Sequence, residues 1–326
     1  MKFLKANGAL VALIVLFVIN ALWQKGIFLD PQNLRNILSQ NATTGIIAVG
    51  MTLVIIGGGI DLSVGSMMGL LGVLCLLGMN KATTDPAQTG IALLVGVGAG
   101  ALFGALNGLI ITWGRIAPFV ATLAGLAAFR SVALGLTNAG QTLANSKTLF
   151  PSLAQGGLPI PGAQLGNGAP LLVQWPTFIF FGMAAVGSWI LNRSIYGRRL
   201  IAVGANETAA VYSGIKTNQI KIVAYTFLGL CTGIAAVCQA ARLASVSSSS
   251  LGLYIELDAI AAVVIGGTSL NGGKGQVWST VLGVLILGIV NNMLITANID
   301  SNWQGCFKGV IILLAVLIQR GQKSTS

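Results

Sequence analysis

Runs of about 20 residues that are apolar and almost free of charge recur along this chain, and that recurrence restricts its fold. About 20 apolar residues are what a helix needs to cross the hydrocarbon core of a bilayer. Such runs cover residues 6–24, 39–57, 63–79, 89–112, 117–137, 176–192, 222–241, 276–295 and 303–319, with a shorter eighth in chain order at 256–267. The fold expected is therefore all-α: a polytopic membrane protein of about ten transmembrane helices, one transmembrane domain over residues 1–326. Composition agrees, because 55% of residues are hydrophobic and only 8% charged, against roughly 25% charged in a soluble domain. So little charge excludes a soluble fold, and so apolar a chain is not disordered. The first run is followed by no small-x-small cleavage site, so it is read as a retained helix rather than a signal peptide.

The net charge of +11 does not indicate nucleic acid, since the basic residues flank apolar runs instead of clustering on one solvated face. They read as topology signals. With the N-terminus inside, eleven fall on the inner side: Lys2, Lys5, Arg115, Arg193, Arg198, Arg199, Lys216, Lys221, Lys274, Arg320 and Lys323. Only Lys25, Arg35, Lys81, Lys147 and Arg242 fall outside. Both termini are thus expected in the cytoplasm, with the Pro-, Gly- and Asn-rich stretch 138–175 as an outer loop and the charge-dense stretch 193–221 inside.

Enzymatic chemistry finds little to stand on. There is no histidine, which removes a Ser-His-Asp triad and the commonest metal ligand. The nearest approach to a phosphate-binding loop, GTSLNGGKG (residues 267–275), has Thr268 in place of the first Gly and Gly275 in place of the magnesium-binding Ser or Thr. A GxGD protease element is also missing, because Ile60 precedes Asp61. Cys75, Cys231, Cys238 and Cys306 lie in apolar segments without a CxxC pair, so they read as small hydrophobes, with no metal site.

The polar residues inside or beside the apolar runs are the site candidates. Either Asp61 or Ser63 caps the helix that follows, or Asp61 touches substrate; Glu256 and Asp258 either cap the eighth helix or form a polar outer mouth for a hydroxylated solute. Asn107, Asn271, Asn291 and Asn292 either join helices through their amides or, for Asn291 and Asn292, line a pore suited to neutral polyols. Arg130 either snorkels outward or pairs with a carboxylate. At an offset of 208, Gly58, Gly59 and Gly65 align with Gly266, Gly267 and Gly273, which is a faint echo of paired glycine-broken helices along a transport path. In the 193–221 stretch a short helix is predicted over Glu207–Ser213, with Asn206 as N-cap and Gly214 as stop. Ala209 and Ala210 would give it a smooth face for a partner.

Four stretches, GMTLVIIGGGIDLSVGS (residues 50–66), GRIAPFVATLAG (114–125), YGRRLIAVGANETAAVYSGI (196–215) and ELDAIAAVVIGGTSLNGGKG (256–275), resemble the ribose-type sugar permeases of bacterial ABC importers, within the branched-chain amino-acid/ribose permease superfamily. The likeness runs on to ILLAVLIQR (312–320) and covers nearly the whole chain. It implies an inner-membrane permease that pairs with a second permease subunit, identical or paralogous. It also implies a separate cytoplasmic ATPase that binds the ATP, so that the permease holds no cofactor, and a periplasmic sugar-binding protein. Residues 138–175 would then be a periplasmic loop and 193–221 a cytoplasmic coupling loop. Tyr196, Gly197, Arg198, Glu207, Ala209, Ala210 and Gly214 would form its coupling motif, with Thr208 where such loops usually carry Glu. The solute would be a monosaccharide. A quorum-signal furanose, a nucleoside or an amino acid stay open, as do an ion-coupled transporter and a membrane scaffold.

Overall fold

The computed structural model describes residues 8–24, 26–146, 148–164, 168–300, 303, 305–307 and 309–310. Nine of the ten expected helices have counterparts there; the tenth, 303–319, lies largely outside the described residues. The long helix α2 (Pro31–Ile56, after α1, Gly8–Trp23) starts eight residues earlier than its apolar run because Asp30 accepts the Gln32 amide at 2.7 Å and Pro31 opens the first turn. The chain then continues through α3 (Val64–Met79), α4 (Asp85–Trp113) and α5 (Pro118–Thr137). Pro86 and Pro118 sit in the first turns of α4 and α5, where a missing N–H costs nothing.

The outer loop expected over 138–175 is partly structured. It holds β1 (Gln141–Leu143), the short helix α6 (Leu149–Gln155), β2 (Gly157–Gln164) and β3 (Pro170–Gln174). β2 and β3 form an antiparallel hairpin with Leu158 opposite Val173. β1 instead pairs antiparallel with the distant β4 (Ser245–Ser247), Thr142 facing Val246. The chain descends through α7 (Trp175–Arg193) into α8 (Ile195–Ala205) and α9 (Glu207–Tyr212), and returns as α10 (Thr217–Leu243) to β4. It closes with α11 (Ile255–Ile265) and α12 (Val277–Thr296). One end of the bundle therefore carries the four strands and the other carries α8 and α9.

Among the described residues six helices (α2, α4, α5, α7, α10 and α12) are long and apolar enough to cross a membrane. With 16 residues in α3 and 11 in α11, at ~1.5 Å per residue these reach about 24 and about 16 Å, short of a core ~30 Å thick. Both are flanked by non-helical segments, 57–63 before α3 and 248–254 before α11. α2 is the central helix, buried continuously from Gly45 to Ile56, whereas α4 and α5 turn most of their surface outward. α4 meets α10 along Gly96, Gly100, Gly104 and Gly108, one stripe at four-residue spacing. A Cβ on Gly104 would stand 2.2 Å from the Tyr225 carbonyl, so only hydrogen fits there.

Candidate functional site

Toward the strand end, a cavity of about 530 Å³ opens between α2, α3, α10 and the segment that leads into α11. Gln40, Thr43 and Thr44 face it from α2, Gln239 from α10, Gln141 from β1, and Ser245, Ser247 and Ser250 from β4 and the turn after it. Met68, Leu251, Leu253 and Ile255 supply its apolar wall, and Asp258 is the one ionisable side chain of the lining. Amides and hydroxyls both donate and accept, so these groups could hydrogen-bond a hydroxylated solute. Of the sequence candidates only Asp258 lies there. The glutamines and serines were missed because no spacing rule separates a cavity Gln or Ser from a loop one.

Glu256, two residues earlier, points elsewhere. It closes on Gly65, whose added Cβ would stand 2.2 Å from Oε2, and lies within Coulombic reach of Arg130. Arg130 neither snorkels nor makes a direct ion pair. Its Nη1 donates to the backbone carbonyls of Ser248 (2.7 Å) and Leu251 (3.0 Å).

Asp61 and Asn107 are brought together, away from the cavity. Asp61 is 1% exposed. Its Oδ1 accepts the Ser63 amide (2.7 Å) and hydroxyl (2.6 Å), and Oδ2 accepts Asn107 Nδ2 at 3.2 Å. The N-cap of α3 is Ser63 itself, so Asp61 secures the turn before the helix rather than its orphan amides. Asn292 pairs with Asn33 by reciprocal amide bonds that join α12 to α2 (Nδ2 to Asn33 Oδ1, 2.7 Å), and Asn291 is half-buried beside it; neither lines the cavity. Asn271 is exposed in the α11–α12 connection.

The glycine echo is real in the backbone but one residue out of register. Gly58 (φ +82°) ends α2 and Gly267 (φ +90°) ends α11, each by a double hydrogen bond of the same kind. The Gly58 and Gly59 amides reach Ile55 and Val54; those of Gly267 and Thr268 reach Val264 and Val263. The matching offset is 209, not 208, with Gly57 answering Gly266. Gly65 and Gly273 are not equivalent, since Gly65 lies inside α3 and Gly273 in a connection. The two breaks nonetheless meet: the Gly273 amide donates to the Ile56 carbonyl, and a Cβ on Gly204, at the end of α8, would stand 1.7 Å from that same oxygen.

At the opposite end α9 forms as expected, with Asn206 Oδ1 accepting the Ala209 amide at 3.0 Å and Gly214 (φ +78°) terminating it. α8, which precedes it, was not expected; Ser194 starts it by accepting the Gly197 amide at 3.0 Å. The small face predicted for Ala209 and Ala210 is split, because a helix turns about 100° between neighbours. Ala210 is buried and Ala209 exposed. Val211 and Tyr212 (88% exposed) project from α9 instead. Tyr196 and Gly197 face inward: the Tyr196 hydroxyl donates to the Ile220 carbonyl at 2.9 Å, burial pushes its phenol pKa up, and Gly197 packs on the Leu191 carbonyl. Arg198 is exposed. Glu207 accepts Lys221 Nζ at 2.6 Å.

A multi-helix membrane bundle with two short helices beside a polar cavity belongs to the class of solute permeases. The chain is a member of the permease family described as branched-chain amino acid transport system / permease component, which residues 33–316 match. It is 39% identical over 315 residues to the ribose import permease protein of Bacillus subtilis (strain 168), covering 96% of this chain and 92% of that one. It is likewise 39% identical over 318 residues to the ribose import permease protein of Escherichia coli (strain K12), covering 97% and 94%. With the xylose transport system permease protein of the same strain it shares 33% over 371 residues, covering 98% and 92%. No solved structure matches the chain.

Proposed function

We propose that this chain is the membrane-spanning subunit of an ATP-driven importer in the bacterial inner membrane, and that it admits a pentose-like monosaccharide through the cavity beside α2. The cavity carries the reading: its lining is amide, hydroxyl and aliphatic, with one carboxylate, which suits a neutral polyol better than an amino-acid zwitterion or a nucleotide. Similarity to ribose and xylose permeases supports the same class of solute. The permease supplies no ATP site; a separate ATPase would grip the exposed edge of α9 (Thr208, Ala209, Val211 and Tyr212) from the cytoplasm. A periplasmic sugar-binding protein would deliver solute to the strand end, and a second permease subunit would complete the assembly.

Movement of α9 would reach the cavity, at the other end of the bundle, along the helices that flank it. α8 ends on Gly204 and Ala205, against which Gly272 and Gly273 pack, and Gly273 is bonded to Ile56. Both half-length helices that flank the cavity start or end at these two breaks. A nucleotide-driven shift acts only if the ATPase binds the two states with different affinity, and this junction is where the difference would enter. The test is reconstitution with the ATPase and binding protein in liposomes, with and without residues 207–214. Uptake of labelled ribose or xylose that requires ATP and is lost on deletion, while the chain still inserts, supports the reading. Uptake retained after deletion, or driven by an ion gradient without ATPase, overturns it.

A further inference from the structure

The segment between β4 and α11 forms one wall of the cavity, through Ser250, Leu251, Gly252 and Leu253. It is a run of turns: Gly252 (φ +75°) and Tyr254 (φ +62°) take left-handed conformations, and the amides of Leu251, Leu253 and Ile255 reach the carbonyls of Ser247, Ser250 and Gly252. Two further carbonyls, on Ser248 and Leu251, receive the guanidinium of Arg130 from α5. The side chain gets there because α3 presents glycine where they cross. A Cβ on Gly69 would stand 2.9 Å from Arg130 Nη1 and 3.0 Å from the Leu251 carbonyl. A second tie from α5 runs from Thr137 Oγ1 to Ser248 Oγ at 2.8 Å.

We infer that Arg130 is a positioning residue of the solute cavity: it holds the 248–254 wall at the distance that selects the solute, without touching the solute itself. An ionised side chain at membrane depth is retained only where it is paired or hydrogen-bonded. Here its partners are two carbonyls of that wall, in addition to the turn bonds within it. Lysine offers one cationic nitrogen without the planar fork of donors, so it restores the contact only in part. This inference rests on the cavity being the solute path.

Two measurements on the assembled importer test it. The first does not depend on transport. In a Cys306→Ser background, Ser250→Cys is labelled with a hydrophilic maleimide. Arg130→Met should raise the labelling rate several-fold, and Arg130→Lys should raise it less. The second is uptake kinetics: Arg130→Met, which removes both guanidinium bonds, and Gly69→Ala, which crowds the guanidinium, should each raise KM about tenfold. They should leave maximal ATP-driven uptake within about twofold, and bulkier sugars should compete better. Unchanged labelling together with unchanged KM overturns the inference, as does an equal fall in maximal rate for every sugar. If Arg130→Met fails to insert, Arg130→Lys and Gly69→Ala carry the same comparison. Should Gln40→Ala and Gln239→Ala leave KM untouched while labelling still responds to Arg130, the cavity reading fails and the wall contact stands.

Discussion

The amide of Gly273 donates to the carbonyl of Ile56 over 2.9 Å, although 217 positions separate them in the chain. Ile56 is the last residue of α2, and Gly273 lies in the connection between α11 and α12. The bond therefore ties the end of α2 to the connection that follows α11, and the backbone of Gly204 and Ala205 covers both. Contacts made by backbone alone have no rotamers with which to absorb a displacement, so a shift of one segment would be passed to the other two.

Gly204→Ala should disrupt this junction. The new Cβ would stand 1.7 Å from the Ile56 carbonyl oxygen, which requires backbone movement. Overpacking of this kind costs about 1–3 kcal/mol. The expected outcome is a chain that inserts and binds the ATPase but loses most ATP-driven uptake, measured beside ATP hydrolysis in the same liposomes. Gly98→Ala has open space around its Cβ and should behave as the parent.

The α4–α10 contact yields a stability prediction. Gly104 and Gly229 approach so closely that a Cβ on either would lie within 3 Å of the other's backbone. Gly104→Leu should separate the helices and lower the melting temperature in detergent by many degrees, or prevent accumulation of folded protein. Gly90→Leu, on the same helix but with nothing within 4 Å, should leave the melting temperature unchanged.

How legible these features were in the sequence differs from one to the next. Apolar runs and basic flanks marked the helices because the bilayer imposes length and charge rules that single segments obey. Asn206 and Gly214 marked α9 because caps are local chemistry. The start of α2 was missed by eight residues, since PQNLRNIL is too polar for an apolar run and is helical through its cap and the contacts it makes, including Arg35 Nε to the Leu172 carbonyl at 3.1 Å. The cavity was mostly invisible. Gln40, Gln141 and Gln239 come from three distant elements, and only the β1–β4 pairing and the bundle bring them to one place. Asp61 drew attention as an isolated acid, but it is used locally to secure the turn before α3.

That local use of Asp61 can be measured. Its Oδ1 accepts two bonds from Ser63, and Asn107 bonds both Asp61 Oδ2 and Ser63 Oγ (2.8 Å). Removing one partner of a buried charged hydrogen bond costs about 1.5–3 kcal/mol. Asp61→Ala and Asn107→Ala should each lower thermal stability, and the double variant should fall short of their sum because the residues share one network. A strictly additive double variant would mean that the two act independently.

The projecting edge of α9 provides the last prediction. Tyr212 is 88% exposed and Val211 53% exposed, an unusual display of apolar surface on a polar connection. Glu207 is already paired with Lys221 at a solvent-accessible site, where such pairs contribute about 0–1 kcal/mol. If the ATPase grips α9 by its apolar edge, Tyr212→Ala should weaken assembly of permease with ATPase at least tenfold in a pull-down titration. Glu207→Gln should change it less than threefold. The reverse ranking would place recognition on the charge and would require Glu207 to leave Lys221 when the ATPase binds. Measuring both variants at 0.05 and 0.5 M salt separates the cases, because a charge-based contact between exposed groups weakens as the screening length falls below about 10 Å, whereas burial of Tyr212 does not.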